Sequence, residues 1–489
     1  MGLPYTSSKV NLSNIVNVKE TNMFLRMMLS ISFLSFAYGC GSGSSGGGGG
    51  PKGVREGGLG TPVSLALQDP NCQKNSSGLT LQGGPVNRSY TGEGVYQGME
   101  LKLLSKHVRF MIEAKDQSNI SELRLCGNRD NVKSNTVEGA TIQVLDDITA
   151  ANEFFQRSRI DSKQTTQLSL NMFPMYEQYV KVEVDPDLVE PGNPSTIEQG
   201  GYITDNAAWT YSEDDSNNKV YSMIFFPKSK ELAAKNWFNG KGLWEIPFVA
   251  KHEFGHHVFS EYMKYTPAFD AILSWYGNRE KFQSMGTLSS YGSIANSLLL
   301  ARMGESSQRE VMWVAINEGF ADLFAYLSMG GNDQLTDFAC FSKNRQLSEA
   351  KFHDGRSKVM TRSVLDEFFT DSDSESIIGL LGLEEEDSCQ SYSLADPHMI
   401  GAIIAHGILN ILSDGDDIDE LTIRTFKWMK SLSTSSSRYY NRSGSDLLSY
   451  VVSKAVDVVK AENPSINLDE KLGKYFPFMQ GRNPGVIED

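Results

Sequence analysis

Apolar and polar residues follow two different patterns in this chain of 489 residues, and the change occurs near residue 246. Before it, short apolar stretches broken by Gly, Asn and Pro are typical of strands, for example at 101–113, 121–125, 180–184 and 220–226. After it, apolar residues recur every three or four positions, which predicts helices at 247–264, 309–329, 397–412, 419–432 and 446–461. A β-rich part followed by an α-helical part predicts an α+β fold.

A short apolar stretch near the N-terminus has the pattern of a secretion signal. Two basic residues precede Met27–Tyr38, and a start at Met23 would give this signal its typical positive flank. The residues Ala37–Cys40 resemble the lipobox of bacterial lipoproteins, in which the cysteine carries the lipid. We therefore expect Cys40 to anchor an exported protein in the cell envelope, and Gly41 suggests the outer membrane. A plain secretory signal, with Cys40 unmodified, is the alternative.

Four further cysteines indicate disulfide bonds in an exported chain. Neighbours in sequence give the simplest pairing, Cys72 with Cys126 and Cys340 with Cys389, although four cysteines allow three connectivities. None has the C-x-x-C spacing of a zinc ribbon or a redox motif, so we expect them to be structural.

The charge of the chain is acidic. Sixty carboxylates against 45 Lys and Arg give a formal net charge of −15, and no basic cluster interrupts this balance. Such a surface repels phosphate backbones, so nucleic acid is not an expected partner.

The motif H-E-x-x-H at 252–256 is the sharpest chemical signal. Residues four apart lie on one face of a helix, so His252 and His256 can bind one metal ion, for which zinc is the usual choice. Glu253 is displaced by about 100° around the helix axis, where it can act on a water molecule without binding the metal. The motif therefore predicts a zinc-dependent hydrolase.

The third metal ligand is predicted to be Glu318, which lies 62 residues after His256. Glu318 and Asp322 interrupt an otherwise apolar helix, and buried carboxylates need a compensating charge or metal. Because the two are four residues apart, Glu318 can bind zinc while Asp322 accepts the second N–H of a ligating histidine. Tyr262 stands where the H-E-x-x-H-x-x-G-x-x-H zincins have their third histidine, which excludes that class.

H-E-x-x-H followed by N-E-x-x-x-D resembles the gluzincin pattern of thermolysin-like metallopeptidases. Two further segments are similar to that family, within a resemblance that covers about 202–412: the edge strand with Asn206, Ala207 and Trp209, and the helix that starts near His398. The resemblance implies a zincin-type fold, a catalytic zinc ion, and a substrate chain held by Asn206 and Ala207. It also implies Glu253 as general base, and His398, oriented by Asp396, as the group that steadies the tetrahedral intermediate.

This chain departs from the family pattern in three respects. The stretch 265–308 lengthens the distance between the zinc motifs, so we expect an insertion or specificity loop there. The tyrosine that assists the oxyanion has no clear counterpart, and Tyr291 is a guess. Asp396 lies two residues before His398, closer than the orienting aspartate of the family.

Calcium often accompanies the family and is a second candidate ion. The support is weak, because the acidic stretches at 371–375, 384–387 and 414–419 lack the glycine of an EF-hand loop.

These observations predict a lipid-anchored zinc endopeptidase with a peptide or protein substrate. The predicted organisation is a signal peptide at 1–39, a lipidated cysteine and Gly/Ser-rich linker at 40–60, a β-rich accessory or pro-module at 61–140, a β-rich catalytic subdomain with the zinc helix at 141–264, and an α-helical catalytic subdomain at 265–489. A zinc aminopeptidase and a lipid-anchored zinc protein without turnover are the alternatives.

Overall fold

The structure, a computed structural model, describes residues 137–273, 305–333, 345–370, 397–434 and 444–479 with gaps, and strands between 59 and 124 and at 288–289. The strands are β1 Leu59–Gly60, β2 Thr80–Gln82, β3 Arg88–Thr91, β4 Gly94–Tyr96, β5 Met99–Leu101, β6 Val108–Ile112, β7 Glu122–Arg124, β8 Leu168–Met172, β9 Glu177–Glu183, β10 Thr196–Ile203, β11 Ala207–Glu213, β12 Lys219–Phe225 and β13 Leu288–Ser289. The α-helices are α1 Val137–Ser158, α2 Pro247–Met263, α3 Glu305–Ser328, α4 Arg362–Thr370, α5 Pro397–Leu412, α6 Ile418–Ser433, α7 Gly444–Glu462 and α8 Asp469–Tyr475.

The five helices predicted from apolar periodicity are confirmed as α2, α3, α5, α6 and α7, with ends that differ by at most four residues. Local chemistry explains two of the starts. Pro247 occupies the first turn of α2, where its missing N–H leaves no hydrogen bond unmade. Asp417, from the acidic stretch 414–419, caps α6 by accepting bonds from the backbone N–H groups of Asp419 and Glu420. None of the described helices is long and apolar enough to span a membrane.

The strands form two larger sheets among the described residues. One sheet has the order β11-β12-β8-β6-β3, in which β12, β8 and β6 run parallel and the outer pairs are antiparallel. The other has the order β1-β10-β9-β13. Strand β11 therefore lies at an edge, and its Ala207 pairs with Phe225 of β12. This edge strand packs beside α2, the helix that carries the H-E-x-x-H motif.

The predicted β-rich subdomain at 141–264 does not begin with strands, because α1 spans Val137–Ser158. Its buried apolar residues follow a helical period: Val144, Ile148, Ala151 and Phe155. The predicted boundary at 140/141 falls inside this helix. Strands β3 and β6, from the predicted accessory module, also share a sheet with β8, β11 and β12. Hydrogen bonds therefore join the predicted module to the next segment.

Glycines allow three helices to approach one another closely around the candidate site. A Cβ at Gly255 of α2 would lie 2.8 Å from the Cα of Ala321 in α3. A Cβ at Gly319 of α3 would lie 2.5 Å from the carbonyl oxygen of Gly401 in α5. Helix α3 is thus packed between α2 and α5 at distances that larger residues could not maintain.

Candidate metal centre

Helix α2 directs both histidines of the H-E-x-x-H motif into the protein interior. His252 and His256 are buried, and their Nε2 atoms are 3.1 Å apart. The predicted i, i+4 arrangement on one helix face is confirmed by this distance.

Helix α3 brings Glu318 to the same point. Its Oε2 lies 3.3 Å from His252 Nε2 and 3.5 Å from His256 Nε2. A tetrahedral zinc ion with bond lengths of about 2.0–2.2 Å separates its ligand atoms by about 3.3–3.6 Å. The donor types and distances of the three side chains therefore fit a zinc ion. Among the described residues, His252, His256 and Glu318 form a group that could hold a metal ion.

Asp322 and Arg345 both contact His252. Asp322 Oδ1 lies 2.9 Å from His252 Nδ1, where the sequence predicts the carboxylate that orients a ligand. Arg345, which sequence reasoning missed, donates to the same oxygen through Nε at 3.0 Å, and its Nη2 forms an ion pair with that oxygen at 2.7 Å. The Nη2 atom also lies 3.1 Å from His252 Nδ1, 3.2 Å from His252 Nε2 and 3.9 Å from Glu318 Oε2. A lone arginine 27 residues after Glu318 carries no sequence signal, because only the fold brings it to this place.

The charges of the centre favour a bound cation. The side chains of Glu253, Glu318 and Asp322 are 0% exposed, and Arg345 is 1% exposed. Buried charges are costly unless they are paired or bind a metal. A dipositive ion together with the guanidinium would balance the three carboxylates, so the donor set fits zinc in charge as well as in spacing.

The surroundings of each acid set its proton affinity. Burial raises the pKa of Glu253, and the opposing effect of His252 and His256 is smaller, which suits a group that must accept a proton. Burial also raises the pKa of Glu318, but the nearby histidines outweigh this effect and hold it well below its usual value. Glu318 is therefore ionised at neutral pH, as a metal ligand must be.

His398 reaches the centre from the first turn of α5. Its Nε2 lies 3.3 Å from Glu318 Oε2, but it is not a member of the group whose ligand atoms all lie within 4.8 Å. His398 thus lies beside the metal ligands, and its role as a donor to the substrate stays a prediction. Its predicted partner Asp396 lies outside the described residues.

The edge strand β11 begins beside the histidines. Asn206 and Ala207 are buried, and Asn206 Oδ1 accepts from the backbone N–H of Ala207 at 2.8 Å. Their contact with a substrate stays a prediction. The indole N–H of Trp209 points to His257 Nδ1 at 3.4 Å, and the Trp209 ring lies 6.4 Å from that of His256. His257 therefore links the edge strand to α2 through this contact.

Several predicted features lie outside the described residues. They are the lipidation site Cys40, the cysteines Cys72, Cys126, Cys340 and Cys389, Tyr291, most of the stretch 265–308, and the acidic stretches at 371–375 and 384–387.

Comparisons of the chain with protein-family models, with curated proteins and with solved structures found no match.

Proposed function

We propose that this chain is a zinc-dependent endopeptidase of the thermolysin-like kind, with a zincin-type fold, exported and held in the cell envelope by a lipid on Cys40. The observation that supports it most strongly is the convergence of His252, His256 and Glu318 within ligand distance. Glu253 follows His252 directly on the same buried helix. A metal site with a neighbouring carboxylate base is the arrangement that peptide hydrolysis by an activated water requires.

Zinc, when bound at these three ligands, supplies a Lewis acid that polarises the substrate carbonyl and makes water a stronger acid. Glu253 takes the proton of the attacking water and later gives it to the departing amine, a role for which its raised pKa is suited. His398 donates a hydrogen bond to the carbonyl oxygen as negative charge develops there. Asp322 keeps Nδ1 of His252 protonated, which leaves Nε2 free to bind the metal.

Hydrolysis of labelled casein by the purified protein tests this proposal. Glu253→Gln should retain one zinc per chain and lose turnover, because only the base is removed. The matched control is Glu261→Gln, which neutralises a buried carboxylate on the same helix that pairs with Lys264. Equal activity of the wild type and Glu253→Gln would exclude Glu253 as the base, and an unchanged zinc content in Glu318→Ala would exclude Glu318 as a ligand.

Peptides with free and acetylated N-termini separate the alternatives. Cleavage of internal bonds in both peptides is expected for an endopeptidase, whereas an aminopeptidase requires the free amine. Stoichiometric zinc without cleavage of any peptide would favour a binding protein.

A further inference from the structure

Arg345 reaches the metal centre from the chain just before residues 346–350, which form neither helix nor strand. Its guanidinium contacts Asp322 and His252, so the position of this one side chain affects how a ligand is oriented. Such a side chain can keep its place only when its own backbone is held.

The next three residues, 346–348, are each bound by a buried polar group. Lys358 Nζ donates to the carbonyl of Gln346. His406 Nδ1 donates to the carbonyl of Leu347 at 2.7 Å.

Ser348 completes this series. Its backbone N–H and its hydroxyl both donate to the carboxylate of Asp333, at 2.8 and 2.7 Å. The three anchoring groups come from separate places: Asp333 follows α3, Lys358 precedes α4, and His406 lies in α5.

These anchors are buried to an unusual degree for polar side chains. Asp333, Lys358 and His406 are 2%, 0% and 5% exposed. A buried polar group left without a partner costs about 1–3 kcal/mol, so displacement of the segment is opposed at three successive residues. The three anchors therefore restrain the backbone of this irregular segment.

We infer that Asp333, Lys358 and His406 are positioning residues that hold residues 346–348 and thereby keep Arg345 against Asp322 and His252. The inference rests on the proposed metal centre. Loss of an anchor lets the guanidinium move away, and His252 is then less well oriented for the metal. Loss of groups that orient a metal ligand lowers metal affinity by about 10–100-fold.

A double-mutant cycle on zinc affinity tests the inference without any need for turnover. The dissociation constant of zinc is measured by competition with a chromophoric chelator for the wild type, His406→Leu, Arg345→Met and the double variant. Each single variant should raise it about 10–100-fold, and the double variant should bind no more weakly than Arg345→Met alone. His406→Asn, whose amide can replace the Nδ1 donor, should stay within about threefold of the wild type.

Additive losses, or unchanged zinc affinity in His406→Leu, would overturn the inference, because a merely structural histidine is not coupled to Arg345. Ser348→Ala, which removes one hydroxyl and little volume, gives a second test if His406→Leu does not fold. It should weaken zinc binding in the same direction by a smaller factor, and an unchanged affinity would again overturn the inference.

The proposed function fails separately from this inference. Zinc binding with the expected coupling but no peptide cleavage would contradict the peptidase alone. A wild-type chain that binds no zinc would overturn both.

Discussion

Substitution of Gly319 by alanine should separate His398 from the metal ligands without disturbing the ligands themselves. The new Cβ would lie 2.5 Å from the carbonyl oxygen of Gly401, whereas an ordinary contact begins at 3.4 Å, so α5 must move away by about 0.9 Å. His398 lies one turn before Gly401 on α5 and moves with it. The zinc ligands are on α2 and α3, which this change does not push apart.

The expected loss is larger in turnover than in stability. Overpacking costs about 1–3 kcal/mol, but alanine is favoured over glycine in a helix by about 1 kcal/mol, so the net cost in stability is about 0–2 kcal/mol. A displacement of about 1 Å at a catalytic group can lower the rate about 100-fold. Gly319→Ala should therefore bind zinc within about threefold of the wild type and cleave casein about 100 times more slowly.

Gly255→Ala is the matched comparison, because it acts on the other side of α3. Its Cβ would lie 2.8 Å from the Cα of Ala321, so α2 must move from α3 by about 0.6 Å. That movement separates the two histidines from Glu318, and a site that tolerates about 0.5 Å should lose zinc affinity about tenfold or more.

Zinc affinity by chelator competition and casein hydrolysis, measured on both variants, distinguish the two movements. Turnover within twofold of the wild type in a folded Gly319→Ala protein would refute the reasoning. Loss of zinc in that variant would show that α3, rather than α5, had moved.

Three further predictions concern charge and anchoring. Burial lowers the pKa of Lys358 from 10.5 to about 8, so the unfolded chain binds more protons than the folded chain between these pH values. The free energy of unfolding, relative to that of Lys358→Met, should therefore increase by about 3 kcal/mol as the pH rises from 8 to 10.5. A difference that does not change with pH would contradict the lowered pKa. Asp322→Asn should weaken zinc binding about 10–100-fold, because the hydrogen bond that orients His252 is lost and the arginine loses its counter-charge; an unchanged dissociation constant would mean that Arg345 alone orients the ligand. Cys40→Ser should abolish labelling by palmitate and shift the protein from the membrane to the soluble fraction, whereas a plain secretory signal predicts no change.

The parts of the site that sequence predicts correctly depend on local geometry. The helical period determines which residues share a face of α2 or α3. Spacing alone therefore places His252 and His256 on one face of α2, and Glu318 and Asp322 on one face of α3. Apolar residues around the two acidic positions already indicate that these carboxylates are buried.

The parts that sequence does not predict depend on contacts between distant residues. Arg345 and its anchors Asp333, Lys358 and His406 are polar residues that lie far apart in the sequence, and no period distinguishes them from solvated ones. Strands β6 and β8 are separated in sequence by helix α1, and strands of five residues carry too little pattern to specify their pairing. The spacing of its apolar residues is sufficient to predict helix α1. The strand patterns on either side of it led instead to the prediction of a β-rich segment.

The buried charges link the fold to the proposed chemistry. Three carboxylates and one guanidinium leave the interior short of positive charge. In the metal-free protein, protonated His256 supplies part of this missing charge. Burial lowers the pKa of this histidine, but Glu318 and its other neighbours outweigh that effect and raise it to about 9. A histidine must lose its extra proton to bind a metal. Binding of a dipositive ion would therefore release the proton of His256 and supply the missing positive charge in its place. Because its ligands would come from both α2 and α3, such an ion would also join the helices that Gly255 allows to approach. The stability of this helix pair would then depend on the same ion as the proposed activity.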